Sequence, residues 1–147
     1  MSRILVIYHS QTGNTKAAAE AVARGAESVE GADIATKQAL KATAPDLLRC
    51  DGVAIGSPDY FGYMAGGLKD FFDRTYYPTQ GEVTDKPCVI FVTHGGGGKA
   101  VKSVREMCQK FKFNIIAGPV LVKGRPQGED EEKLAALGET LAQACAK

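Results

Sequence analysis

Apolar and polar positions along the chain alternate between two kinds of segment. Residues 3–8 form a nearly continuous apolar run, as expected for a strand covered on both faces. Residues 14–29 place Ala18, Ala21, Val22 and Gly25 at helical spacing, which predicts a helix with a small-residue face that can sit close to a neighbour. Residues 32–36 read as a short, weak strand. Thr43 to Leu48 reads as a short helix with Thr43 or Ala44 ahead of a proline in its first turn. Residues 51–58 (Asp51-Gly52-Val53-Ala54-Ile55-Gly56-Ser57-Pro58) predict a strand that ends in a forced loop. Met64 to Tyr76 then reads as helix, with Leu68, Phe71 and Phe72 on its apolar side despite Gly66 and Gly67. Pro87 to Thr93 is the most apolar strand, residues 99–111 a helix, and residues 113–122 a fifth strand. Glu129 to Ala146 closes the series as a helix whose acidic first turn complements the helix dipole.

Five strands separated by helices predict a three-layer α/β fold around a parallel sheet, in one domain spanning residues 1–147. Right-handed crossovers are expected. A chain of 147 residues with 44% hydrophobic and 24% charged positions fits a globular protein with a substantial core. Eighteen basic and 17 acidic residues nearly cancel, and no basic run resembles a nucleic-acid footprint. No apolar stretch reaches signal-peptide or membrane-spanning length, so the expected location is the cytoplasm, with neither nucleic acid nor membrane as partner. Cys50, Cys88, Cys108 and Cys145 form no Cys-x-x-Cys pair and have no metal-ligand spacing, so they read as buried or incidental thiols.

In a parallel sheet the loops that follow the strands share one edge, and three such loops here have unusual chemistry. The first, His9 to Thr15, gathers Ser10, Gln11, Thr12, Gly13, Asn14 and Thr15 ahead of a helix N-terminus. Hydroxyls, an amide and unpaired backbone N–H groups can surround a phosphate there without a positive side chain. Ordinary helix capping by one Ser or Thr is the alternative. The run is neither a mononucleotide P-loop nor a Gly-x-Gly-x-x-Gly dinucleotide turn. The second loop, Ser57-Pro58-Asp59-Tyr60-Phe61-Gly62-Tyr63-Met64, offers Tyr60 or Phe61 as a ring against which a flat ligand can lie, or Phe61 and Tyr63 pack inward to stabilise the loop. Asp59 reads as a solvated turn former or as a charge beside a redox ring. The third, Thr93-His94-Gly95-Gly96-Gly97-Gly98, has more glycine than a turn needs, as close backbone contact with a planar ligand would require. His94 either contacts the ligand or caps the strand end. Ser10 or Ser57 beside His94 imitates a nucleophile–base pair, but Gly-x-Ser-x-Gly is absent and no residue obviously orients the histidine. No catalytic residue and no metal ligand is assigned.

These three loops together resemble the flavodoxin-like family. Ser10 to Thr15 looks like that family's FMN-phosphate signature in full, with its strand before and helix after. The resemblance implies FMN as cofactor and the strand order 2-1-3-4-5, with the ligand beside the β1/β3 switch point. It implies that Ser10, Thr12, Gly13, Asn14 and Thr15 hold the phosphate, that Ser57 and Pro58 flank the ribityl chain, and that the second and third loops line the ring. It implies electron transfer between a reductase and a redox partner. Gly56-Ser57-Pro58, Phe61-Gly62, Met64-Ala65 and the glycine-rich loop look more like the NAD(P)H:quinone reductase branch, for which NAD(P)H and a small quinone would be the partners. Unlike the usual electron-carrier flavodoxins, this chain is not strongly acidic, and it has no tryptophan to stack on a ring. It is also shorter than that reductase branch generally is, and its oligomeric state is open.

Overall fold

The computed structural model describes all residues 1–147. Strands β1 (Ser2–Tyr8), β2 (Ala32–Gln38), β3 (Gly52–Tyr60), β4 (Tyr63–Met64), β5 (Pro87–His94) and β6 (Asn114–Lys123) alternate with helices α1 (Asn14–Glu27), α2 (Ala44–Arg49), α3 (Gly66–Thr79), α4 (Ala100–Lys110) and α5 (Glu129–Ala144). The sheet order is β2-β1-β3-β5-β6, and these five strands are all parallel. Counting them alone gives the expected order 2-1-3-4-5. β4 is an antiparallel addition to the end of β3.

Each sheet face buries its own core. Phe71, Phe72, Phe111, Ile55 and Ile90 fill the side covered by α2, α3 and α4. Val6, Val22, Phe91, Leu134 and Leu141 fill the side covered by α1 and α5. Double coverage explains why β1, β3 and β5 read as unbroken apolar runs. The α1 stripe of small residues serves the second face. A Cβ on Gly25 would collide with the Ala135 backbone, and one on Gly138 with the Val22 backbone, so α1 and α5 cross with almost no spacer between them. α2 starts at Thr43, whose Oγ1 accepts from the Asp46 amide while Asp46 Oδ2 accepts from the Thr43 amide, a reciprocal cap.

Several boundaries differ from the sequence reading: β3 continues past Pro58 to Tyr60, where it pairs with β4, α3 continues past Tyr76 to Thr79, and α5 ends at Ala144. α3 begins at Gly66 instead of Met64, because Tyr63 and Met64 turn back to pair with Tyr60 and Asp59. Phe61 (φ 58°) and Gly62 (φ 77°) form the two-residue tip of that hairpin, the positive-φ pair that matches strand twist. The weak strand at 32–36 extends to Gln38, because each of its residues pairs with β1 despite an exposed outer edge.

All four cysteines are free and buried, with the Cys88 and Cys108 sulfurs 3.9 Å apart. Burial pushes the Cys50 thiol from its ordinary 9.0 up to about 11, and it raises Cys88 and Cys145 as well. The folded chain therefore keeps protons that the unfolded chain releases above its own thiol pKa. Stability from this source is intact below pH 9 and falls as pH rises towards 11. The urea midpoint is expected to be lower at about pH 10.5 than at about pH 8, and an unchanged midpoint would show that the thiols are not desolvated as described.

Candidate functional site

The carboxyl ends of β1, β3 and β5 open into a cleft of about 200 Å³. Its walls come from the three loops singled out in the sequence: Ser10, Gln11, Thr12, Asn14 and Thr15, then Pro58, Asp59 and Tyr60, then Thr93, His94 and Gly95. Gly124, at the end of β6, completes the lining. Its amide donates to the His94 carbonyl (2.9 Å), which ties the last strand to the third loop. The sequence reading missed Gly124, and the only signal for it was a glycine directly after the last apolar run.

At the floor lies the α1 N-terminus, where no side chain caps the helix. Gly13 precedes it at φ 100°, a backbone conformation costly for any residue with a Cβ. The Gly13 amide donates to Ser10 Oγ (3.0 Å), which folds the loop around the helix end. The first intrahelical bond runs from the Ala17 amide to the Gly13 carbonyl (3.0 Å), so the amides of the first turn precede the helical ladder. Capping therefore does not account for the hydroxyl-rich loop. Thr15 Oγ1 lies 2.7 Å from Thr93 Oγ1, both residues being buried, and this contact joins the first loop to the third. No lysine or arginine lines the cleft. An anion at the helix end would meet backbone amides, hydroxyls and the Asn14 side-chain amide, without a lysine or arginine.

The second loop divides between lining and scaffold. Ser57 is fully buried, and its Oγ accepts from the Ala65 amide (3.0 Å) and donates to the Pro58 carbonyl (2.7 Å), so it fixes the path into α3 and does not face the cleft. Asp59 is the turn former that the sequence allowed, with a second task. Oδ1 accepts from the Gly62 amide (2.8 Å) and Oδ2 from the Ala100 amide (3.3 Å), which pins the hairpin to the start of α4. Asp59→Ala is expected to lower apoprotein stability by about 1–2 kcal/mol, read from the urea midpoint. A midpoint equal to that of the unaltered chain would mean that the two bonds do not persist in solution.

Tyr60 lines the cleft, its ring edge-on to His9 with centroids 6.2 Å apart. Burial pushes its phenol up, opposed by the backbone N–H of Gln11. Phe61 stands on the hairpin tip wholly exposed and outside the cleft lining, because its positive φ turns the side chain outward. In the third loop, His94 Nδ1 accepts from the Gly97 amide (3.1 Å). Of the four glycines, Gly98 alone has positive φ, and a Cβ on it would strike the Leu121 side chain. A Cβ at Gly95 or Gly96 would meet nothing within 4 Å. Of the predicted residues, Gly13, Ser57, Phe61, Gly62, Gly96 and Gly97 lie near the cleft without lining it.

Comparison with known proteins bears on the family and the fold. Residues 2–127 match the family model described as NADPH-dependent FMN reductase. A protein named flavodoxin from Aquifex aeolicus is 37% identical, the match covering 97% of this chain and 86% of that one. An NAD(P)H dehydrogenase (quinone) from Acidithiobacillus ferrooxidans is also 37% identical, over 65% of this chain and 60% of its own. Among solved structures, a flavodoxin from the domain Archaea superimposes with a TM-score of 0.89 at 24% identity, covering 97% of this chain and 98% of that one, a likeness of fold.

Proposed function

The chain belongs to the flavodoxin-like family, and we propose that it binds FMN without a covalent bond in the switch-point cleft and carries electrons between a reductase and a redox partner. The observation that carries this reading is the uncapped N-terminus of α1, ringed by Ser10, Thr12, Asn14 and Thr15 and opening into the cleft. In the proposal these groups hold the FMN phosphate as acceptors and donors of fixed geometry. Pro58 forms the wall beside the ribityl chain, and Ser57 behind it fixes the backbone that follows. Tyr60, with Asp59 holding its hairpin, forms one side of the ring pocket. Thr93, His94 and the glycines after it form the other, and the free space at Gly95 and Gly96 admits close backbone contact with a flat ligand. The residues 1–147 are read as one FMN-binding domain, and a cytoplasmic location belongs to the same proposal. No helix is long and apolar enough to cross a membrane.

Bound FMN would supply the redox chemistry, and the protein would set its orientation and electrostatics. The chain's own part is to position and exclude. Helix-end amides would hold the phosphate, the Thr15–Thr93 contact ties the first loop to the third, and Tyr60 lines the cleft between them. His94 has one ring nitrogen committed to the Gly97 amide, so it positions the loop.

A second reading, an FMN-dependent NAD(P)H:quinone oxidoreductase, is favoured by the matched family model and by the Acidithiobacillus relative. The full-length correspondence with the Aquifex flavodoxin favours the carrier. The test follows the loss of NADPH absorbance with FMN-loaded protein and a soluble quinone. The carrier reading expects turnover only after a separate flavoprotein reductase is added. Sustained NADPH oxidation without one would replace it with the reductase reading.

A further inference from the structure

A net charge of +1 conceals a strong asymmetry. Residues 93–125 carry seven lysines and arginines and a single acid, Glu106, whereas residues 126–147 carry five acids and two lysines. α4, which bears Lys102, Arg105 and Lys110 and follows directly on Lys99, packs with α2 and α3 on one face of the sheet, and acidic α5 packs with α1 on the other, where Arg125 also lies near Glu131. The basic side is also the side that carries the hairpin over the cleft.

Gly62, Tyr63, Lys99, Lys102, Ser103 and Glu106 line an open groove of about 500 Å³ between the hairpin and α4. Its parts are held together. Met64 donates its amide to Ser103 Oγ (2.9 Å), Ala100 donates to Asp59, and the Lys99 side chain passes 3.8 Å from where a Gly62 Cβ would stand. Lys99 and Lys102 are one turn apart, exposed, and engaged in none of the chain's five ion pairs. Next to them the surface is apolar. Phe61 is 107% exposed, Tyr63 47% and Leu121 42%. Gly98 lies against Leu121, which links the groove to the end of β6, where Lys123 adds another exposed and unpaired cation.

We propose that this face, exposed rings within a rim of unpaired lysines beside the cleft, docks an acidic redox protein. The inference rests on the electron-transfer reading above, and it names the partner's charge. The lysines have no ion-pair partner within the chain, so an acidic surface gains attraction that nothing in this chain already satisfies. The outward Phe61 is a second indication. It stands on the hairpin tip with Tyr63 two residues on, and grouped exposed apolar side chains rimmed by charge mark an interaction surface. A small anion is disfavoured because both lysines sit in the open, and the buried Ser103 hydroxyl in the groove already donates to the Ala100 carbonyl (2.9 Å).

The experiment measures binding of a fluorescently labelled acidic two-iron ferredoxin to the FMN-loaded protein by anisotropy, with basic cytochrome c as the opposite probe. Ferredoxin is expected to bind more tightly than cytochrome c at about 20 mM ionic strength and to weaken strongly at about 300 mM. Lys99→Glu with Lys102→Glu is expected to weaken ferredoxin binding about tenfold or more and to leave FMN affinity unchanged. Tighter binding of cytochrome c by the unaltered protein, or full ferredoxin affinity in the double variant, would overturn the proposal. So would a raised KM for NADPH in the double variant with ferredoxin binding intact, which would give the lysines to a nucleotide. Flavin absorbance separates the two readings. Protein that takes up no FMN contradicts the proposed function, whereas loaded protein indifferent to ferredoxin contradicts the docking face alone.

Discussion

Thr12→Asp is expected to weaken FMN binding by about 100-fold, or about 2.7 kcal/mol. Thr12 lies in the loop that lines the cleft floor, ahead of the uncapped end of α1. A carboxylate there would stand beside the phosphate and compete for the same first-turn amides, and like charges held together cost several kcal/mol. No lysine or arginine in the cleft can absorb the added charge. Because Thr12 is exposed in the ligand-free chain, its replacement should change apoprotein stability by no more than about 0.5 kcal/mol. Thr12→Ser, which keeps the hydroxyl, should bind almost as the original does. Titration of each apoprotein with FMN, followed by quenching of flavin fluorescence, gives the three affinities. An Asp variant within threefold of the original would place the phosphate elsewhere.

Gly138→Ala is expected to destabilise the fold although it improves helix propensity. Alanine favours a helix over glycine by about 1 kcal/mol, so helix propensity alone forecasts a gain. The crossing of α1 and α5 reverses the sign. The added methyl would overlap the Val22 carbonyl and approach the Ala26 amide at 3.1 Å, and both are backbone atoms that cannot rotate away. Overpacking of this kind costs about 3 kcal/mol, so the net loss is about 2 kcal/mol, or about 6 °C in Tm. Gly66→Ala is the control. It lies at the start of α3 with nothing within 4 Å of its Cβ, and it should be neutral or stabilising. Equal melting temperatures for the two variants would mean that the helices separate freely.

What the sequence disclosed depended on how local the cause was. The run from Arg3 to Thr15 carried its meaning in consecutive residues, apolar then hydroxyl-rich then alanine-rich, and the structure has a strand, a loop and a helix there. The parallel character of the sheet followed from alternating elements. The order of its strands came from the family resemblance, since spacing alone does not order strands. The hairpin at Phe61–Gly62 was missed. Tyr60 or Phe61 read as a ring for a ligand and Tyr63 as packing inward, but positive φ at two successive residues aims Phe61 outward, Tyr63 is exposed, and the following helix is shortened. Asp59 was legible as a turn former, but its bond to Ala100, 41 positions away, is set by the packing of α4 against β3. Ser57 likewise read as a cleft residue, and its hydroxyl serves Ala65 eight positions on. The basic face was hidden by averaging, because whole-chain charge sums the two sides of the sheet.

The uncapped end of α1 as the seat of the FMN phosphate is the central claim, and phosphorus NMR of the FMN-loaded protein tests it most directly. The account predicts one bound phosphate resonance, shifted from free FMN and unchanged between about pH 6 and about pH 8, because a dianion held by helix-end amides is kept from protonation. A bound flavin whose phosphate still titrates like free FMN would contradict it, since that group would then be in water and the hydroxyl-rich loop would have some other ligand.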